Sequence, residues 1–178
     1  MERTEIRLAG AGGQGIILAS IILAEGAVAA DKYACQSQAY GPEARGGACK
    51  AEVVISDNRI SYPEVRDPDF VMALTQKAAD KYVTNLKEGT VILLDSRLAL
   101  PEEASKYKVY QLPILDTAEK VIGRAQTANI IAVGAINSIF HICSNEQLFE
   151  AARKRIPQGT EELNLKALLA GEQLITGE

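Results

Sequence analysis

The fold turns on Glu5-Ile6-Arg7-Leu8-Ala9, followed directly by Gly10-Ala11-Gly12-Gly13-Gln14-Gly15 and then by Ile16 to Ala30. The first five residues alternate polar and apolar, the period of a half-buried strand. The glycine cluster cannot extend that strand, because glycine loses the most backbone freedom on ordering and belongs where the chain turns sharply. Ile16 to Ala30 is rich in Ala, Ile and Leu, lacks proline and carries Glu25 as its one charge. That predicts a helix apolar nearly all round, buried against a sheet. Gly26 within it is expected to permit close helix–strand contact. Strand, glycine turn and buried helix together open an α/β unit.

The rest of the chain repeats these signals. Tyr33 to Gln38 reads as a short second strand. Lys50 to Ser56 reads as another, continued through an Asp57-Asn58 turn into Ile60–Tyr62 as a hairpin. Strands follow at Asp69–Thr75, Gly89–Asp95 and Lys108–Pro113, the second with an unbroken apolar run at Val91-Ile92-Leu93-Leu94. Helices are expected to about Leu86, over Thr117–Ile122, Ala128–Cys143 and Asn145–Arg155 (capped at Ser144 or Asn145), and from Thr160 to about Leu174. No repeat or linker interrupts residues 1–178. The expected fold is a single three-layer α/β domain, a Rossmann-like variant with a largely parallel sheet plus an antiparallel hairpin.

Composition narrows the function. The chain has 178 residues, 47% of them hydrophobic and 24% charged, enough to bury a core without disulfide or metal staples. It has three cysteines, one histidine and no tryptophan. A zinc site needs about four Cys or His ligands and an Fe–S cluster about four cysteines. Cys35, Cys49, Cys143 and His141 therefore predict no metal site and no cluster. Nineteen Lys and Arg against 23 Asp and Glu, with no basic block, give no electrostatic footprint for nucleic acid. The longest apolar stretch is too short to span a bilayer, and no signal peptide is indicated. A cytoplasmic protein is expected, with scattered thiols suiting a reducing compartment.

Gly10, Gly12 and Gly15 fit G-x-G-x-x-G between a strand and a helix, the context of dinucleotide binding. The ribose-binding acid should end the second strand about 20 residues on. Asp31 has that spacing but precedes the second strand. No Gly-Lys-Ser/Thr follows, which removes a P-loop. Three readings stay open: a dinucleotide, another anion at the helix N-terminus, or a purely structural turn.

A second segment, Tyr40-Gly41-Pro42-Glu43-Ala44-Arg45-Gly46-Gly47, interleaves Tyr, Glu and Arg with glycine and proline. Eight of the 14 glycines lie between Gly10 and Gly47, which points to two loops converging at one side of the sheet. Arg45 can pair with Glu43 or grip a carboxylate or phosphate through both arms of its fork.

With Gly-x-Gly-Gly-Gln-Gly at 10–15, Tyr-Gly-Pro-Glu-x-Arg-Gly-Gly at 40–47, Ile55-Ser56-Asp57 and Ile60-x-Tyr62-Pro63, the chain resembles the gamma subunit of 2-oxoacid:ferredoxin oxidoreductases. The stretches Gln36–Tyr40 and Gly46–Lys50 look closer to the 2-oxoglutarate type than to the pyruvate type. The small chain of indolepyruvate oxidoreductases is a neighbouring pattern. The resemblance implies an accessory, non-catalytic subunit of an enzyme that decarboxylates a 2-oxoacid on thiamine diphosphate. Such an enzyme passes electrons through Fe–S clusters to ferredoxin and forms an acyl-CoA. Thiamine diphosphate and clusters are then expected in alpha, beta and delta partners. The binding residues expected here are Gly10, Gly12, Gly13, Gln14, Gly15, Tyr40, Gly41, Glu43, Arg45, Gly46 and Gly47, with coenzyme A or the partner subunits as what they face.

Other residues carry weaker expectations. His141 suits the end of an apolar helix, capping carbonyls. Cys35 and Cys49 flank the second loop, as a redox pair or as two small buried thiols. Asn129 and Asn137 share a helix face and are expected to bond to loops, to a partner or within the core. The leucines from Leu163 to Leu174 cover the core or dock a partner.

Overall fold

The computed structural model describes residues 2–38 and 48–177. Six strands form one sheet: β1 (Thr4–Ala11), β2 (Tyr33–Gln38), β3 (Ala48–Ser56), β4 (Phe70–Ala73), β5 (Val91–Asp95) and β6 (Lys108–Leu112). Their spatial order is β2-β3-β1-β4-β5-β6. β1, β4, β5 and β6 run parallel, whereas β3 runs antiparallel to both β1 and β2. β2 therefore points the same way as β1 but sits one strand further out.

The helices are α1 (Ile16–Ala29), α2 (Gln76–Tyr82), α3 (Ile114–Asp116, running into a π-turn over Thr117–Val121), α4 (Ala128–Phe140), α5 (Asn145–Arg153) and α6 (Glu161–Thr176). Single 3-10 turns lie at Glu102–Lys106 and Ala125–Thr127. Alternation along the strands sorts the two faces. Ile6, Leu8, Val53, Ile55, Phe70, Met72 and Leu93 pack under α1, α4 and α5 as the main core. Ala9, Val71, Ala73, Ile92 and Leu94 pack under α2 and the first 3-10 turn. The three layers expected from the sequence are present, and they are unequal.

α4 is buried at every residue from Ala128 to Asn137, because α1 and the sheet lie beneath it and α6 lies above. Phe140 at its end meets Phe70 edge-to-face, with centroids 5.3 Å apart. α5 starts with a capping box, Ser144 accepting from the Gln147 N–H and Gln147 bonding back to Ser144. The apolar stripe of α6 divides: Leu168 is buried against α4, whereas Leu169 stays 40% exposed.

Several sequence expectations change. Ile60–Tyr62 forms no strand. The antiparallel character comes from β2 and β3, and the 57–69 segment instead returns past β1, where Arg3 and Arg7 donate to the Glu64 and Val65 carbonyls. Gly26 faces α5 rather than a strand: a Cβ there would lie 2.9 Å from Cys143 Sγ and 3.2 Å from Leu148 Cδ1. Cys35 pairs in register with Val54, on the face opposite Val53 and Ile55, while Cys49 packs on the main-core face. They lie on opposite faces about 17 Å apart along β3, so no redox pair forms. His141 is the left-handed cap of α4, its N–H bonding Asn137 O at 2.7 Å, with the residue exposed. The backbone, not the imidazole, does the capping.

Candidate functional site

β1 delivers Gly10 to the carboxyl end of the parallel strands. The order reverses between β1 and β4, since α1 leads outward to β2 and α2 leads the other way to β5. Such a switch point leaves a crevice beyond the strand ends.

The glycine loop closes on itself. Gln14 Oε1 accepts the Ala11 N–H at 2.7 Å, and the Gln14 N–H reaches Ala11 O at 3.2 Å. Gly15 is the N-cap of α1 with φ +71°, a conformation that costs an L side chain roughly 1–2 kcal/mol. Its carbonyl accepts from Ala19 N at 2.9 Å and from Asn129 Nδ2 of α4 at 3.2 Å. Asn129 thus ties the loop to a helix 114 residues away.

The glycines divide by role. A Cβ on Gly10 would stand 2.5 Å from Gln14 Oε1, and one on Gly15 would stand 2.3 Å from Asn129 Nδ2. Those two serve packing inside the protein. Gly12 and Gly13 are exposed, and a Cβ on Gly13 (φ +87°) would meet nothing within 4 Å. They present bare backbone to whatever approaches. No side chain caps α1, and its first turn carries no acid. Its free N–H groups and dipole suit an anion. A cleft of about 300 Å³ opens beside Gly13 and Gln14, walled opposite by Leu115, Glu119 and Gln126.

Behind that wall is a charge network that no sequence spacing announced. Buried Asp95, ending β5, accepts the Arg97 N–H at 2.9 Å and the Leu115 N–H at 2.8 Å, pinning α3 to the sheet. Arg97 forks onto Asp116 and Glu119, and Lys120 adds to Asp116. The guanidinium holds both carboxyls below the usual carboxylate range.

Tyr40, Gly41, Glu43, Arg45, Gly46 and Gly47 lie outside the described residues. The two residues that anchor their segment are described: β2 ends at Gln38 and β3 starts at Ala48, which stands opposite Ala11 in register. Both anchors sit at the carboxyl end of β1, beside the glycine loop.

The structure answers the dinucleotide reading. α1 runs back from the loop for about 21 Å, which puts Asp31 at the far end of the sheet. β2 ends in Gln38, not in an acid, and β3 stands between β2 and β1. Among the described residues the ribose-binding carboxylate has no counterpart at the end of β2. Among the described residues no group of three or more His, Cys, Asp or Glu could hold a metal ion. No helix is long and apolar enough to cross a membrane.

Asn137, the second asparagine on α4, clamps the chain after the helix: Nδ2 donates to Cys143 O and Oδ1 accepts the Cys143 N–H, both at 3.1 Å. Burial pushes the Cys143 thiol up to about 11.

Known proteins share this fold and much of this sequence. The chain is 45% identical to the 2-oxoglutarate synthase subunit KorC of Methanocaldococcus jannaschii, across 97% of this chain and 94% of that one. It superposes with a TM-score of 0.86 on the crystal structure of a keto/oxoacid ferredoxin oxidoreductase gamma subunit from Geobacter sulfurreducens, at 44% identity over 98% and 99% of the two chains. The 2-oxoglutarate:ferredoxin oxidoreductase of Magnetococcus marinus, solved with 2-oxoglutarate, coenzyme A and succinyl-CoA, shares the fold at a TM-score of 0.87. There the identity is 22%, over all of this chain and 32% of that one. Residues 5–174 match the family described as pyruvate ferredoxin/flavodoxin oxidoreductase. The chain therefore belongs to the pyruvate ferredoxin/flavodoxin oxidoreductase family.

Proposed function

We propose that this chain is the accessory gamma-type subunit of a 2-oxoacid:ferredoxin oxidoreductase acting on 2-oxoglutarate, and that its glycine-loop end helps to hold coenzyme A. The similarity to a 2-oxoglutarate synthase subunit along nearly the full length supports the assembly and the substrate. The observation that carries the ligand reading is the bare backbone at Gly12 and Gly13 against the uncapped N-terminus of α1. The second loop is anchored at the same end.

Thiamine diphosphate and Fe–S clusters supply the decarboxylation and electron-transfer chemistry of such enzymes, and they do not fit this chain. Cys35 and Cys49 face opposite ways, and no metal-holding group exists among the described residues. Alpha, beta and delta partners carry them in this reading, with ferredoxin reached through the complex in the cytoplasm. The work left to this chain is positional. The α1 N-terminus attracts a phosphate through its free N–H groups and dipole. The Arg45 guanidinium, also in this reading, clamps that phosphate bidentately.

Reconstituting the complex with Arg45→Ala tests the ligand role. Losing a charge-assisted hydrogen bond of about 1.5–3 kcal/mol should raise the Michaelis constant for coenzyme A about ten- to a hundredfold. An unchanged constant in an intact complex would remove it. Weakened subunit association at an unchanged constant would assign the loop to docking instead. Turnover with pyruvate or indolepyruvate in place of 2-oxoglutarate would move the chain to a sister subtype.

A further inference from the structure

Gln14 is held inside the glycine loop by its oxygen. Oε1 accepts the Ala11 N–H at 2.7 Å, and a Cβ on Gly10 would stand 2.5 Å from the same atom. Only an acceptor can answer an N–H, so this contact decides which way round the amide sits. Nε2, the other arm of the planar group, keeps its N–H donors without a partner among the described residues. It remains accessible, because the unpaired side-chain atoms shut off from solvent do not include it. Gln14 lines the cleft of about 300 Å³, so a donor of fixed orientation stands at that wall.

The other groups of the cleft complement that donor. Gln126, exposed, brings a second amide with no partner among the described residues. Glu119 brings an acceptor. Arg97 Nη1 donates to Glu119 Oε1 at 3.1 Å and holds the group as a carboxylate, which keeps lone pairs to spare. Gly13 adds bare backbone, and Leu115, Ala125 and Ala128 line the rest with hydrocarbon. A phosphate placed here would meet the Glu119 charge, so the cleft repels it. An uncharged group with amide carbonyls, amide N–H groups and methyls would satisfy every member of the lining.

We infer that this cleft holds an uncharged, amide-bearing arm, the pantetheine part of coenzyme A, while the phosphates stay at the N-terminus of α1. Gln14 Nε2 donates to an amide carbonyl of the arm. Glu119 or the Gln126 oxygen accepts an amide N–H or the hydroxyl. The paired methyls of the arm lie against Leu115 and Ala128. The inference rests on the reading of the glycine-loop end as a coenzyme A site, and it adds which part of the ligand lies where and which residues tell the arm from the phosphates.

Two dead-end fragments, competed against coenzyme A in the reconstituted complex, test it. S-methylpantetheine has no charge and no free thiol, and adenosine 3′,5′-bisphosphate has no arm. Gln126→Leu removes an exposed amide and should leave Tm unchanged. Gln14→Glu keeps the oxygen that Ala11 needs and replaces only the donor. Each should raise the inhibition constant of S-methylpantetheine about three- to tenfold. Gln126→Leu should leave that of the bisphosphate unchanged. An unchanged S-methylpantetheine constant in both variants, with Arg45→Ala still raising the Michaelis constant for coenzyme A, overturns the placing of the arm and spares the coenzyme A reading. Equal weakening of both fragments by Gln126→Leu puts the nucleotide in the cleft and overturns the inference too. No response to any of the three variants removes the coenzyme A reading itself, and the inference with it.

Discussion

Two pairs of glycines invite comparison: Gly10 and Gly15 around the loop, and Gly134 and Gly171 where α4 crosses α6. The first pair sits in a motif and yields to inspection of the sequence. The second pair is two isolated residues in apolar helices. Yet a Cβ on Gly171 would lie 1.9 Å from Ile131 O, and one on Gly134 would lie 2.1 Å from Leu168 O. Both clashes are with backbone, which cannot rotate aside. At Gly10 and Gly15 the obstacles are the side chains of Gln14, Ile16 and Asn129, which can. The motif glycines shape a loop, whereas the unmarked ones set the distance between two helices. The difference shows that a glycine's cost of replacement depends on whether side chain or backbone faces it.

The largest effect should come at the helix crossing. Gly171→Ala must push α6 off α4, an overpacking cost of about 3 kcal/mol or more. Tm should fall by about 10 °C, read by calorimetry, and Gly134→Ala should behave alike. Gly15→Ala comes next. It combines a left-handed φ with displacement of Asn129, for about 2–3 kcal/mol together. Gly13→Ala carries the φ penalty alone, about 1–2 kcal/mol with no clash. Its effect should appear in the affinity for an anionic ligand more than in Tm. The comparison breaks if chemical denaturation shows Gly13→Ala costing as much as Gly171→Ala.

The smallest effect sharpens the loop side through pH. Asp116 and Glu119 titrate below their ordinary range in the folded chain because Arg97 faces them. Depressed carboxylates stabilise above their unfolded values and lose that contribution as the pH falls. Stability should thus decline below about pH 4.5, less steeply in Arg97→Gln. Since these groups are exposed, salt should mute the difference. A variant as acid-sensitive as the wild type would show that the network does not hold the cleft wall.

Much of the fold was legible because period is local. Alternation over Glu5–Ala9, glycine at 10–15 and the apolar run after it specify β1, the turn and α1 without reference to anything distant. The capping box at Ser144 and Gln147 is likewise local chemistry. Strand order is not. Alternation identifies a strand but not its neighbour, so Lys50–Ser56 suggested a hairpin with Ile60–Tyr62. The register instead pairs it with β2 on one side and β1 on the other. The carboxylate network was invisible for the same reason, since Arg97 meets partners 19 and 22 residues on.

By itself the sequence determined an α/β domain opened by a glycine turn. It also marked two glycine-rich segments as the places to look and showed too few thiols for a cluster. These follow from residue type and short-range spacing. The tertiary structure alone decided that Cys35 and Cys49 face opposite ways and that Asn129 holds Gly15 from across the domain. It also decided that Gly134 and Gly171 are where two backbones touch. Each of these depends on which distant segments pack together, and long-range packing is set by the whole core rather than by any local pattern.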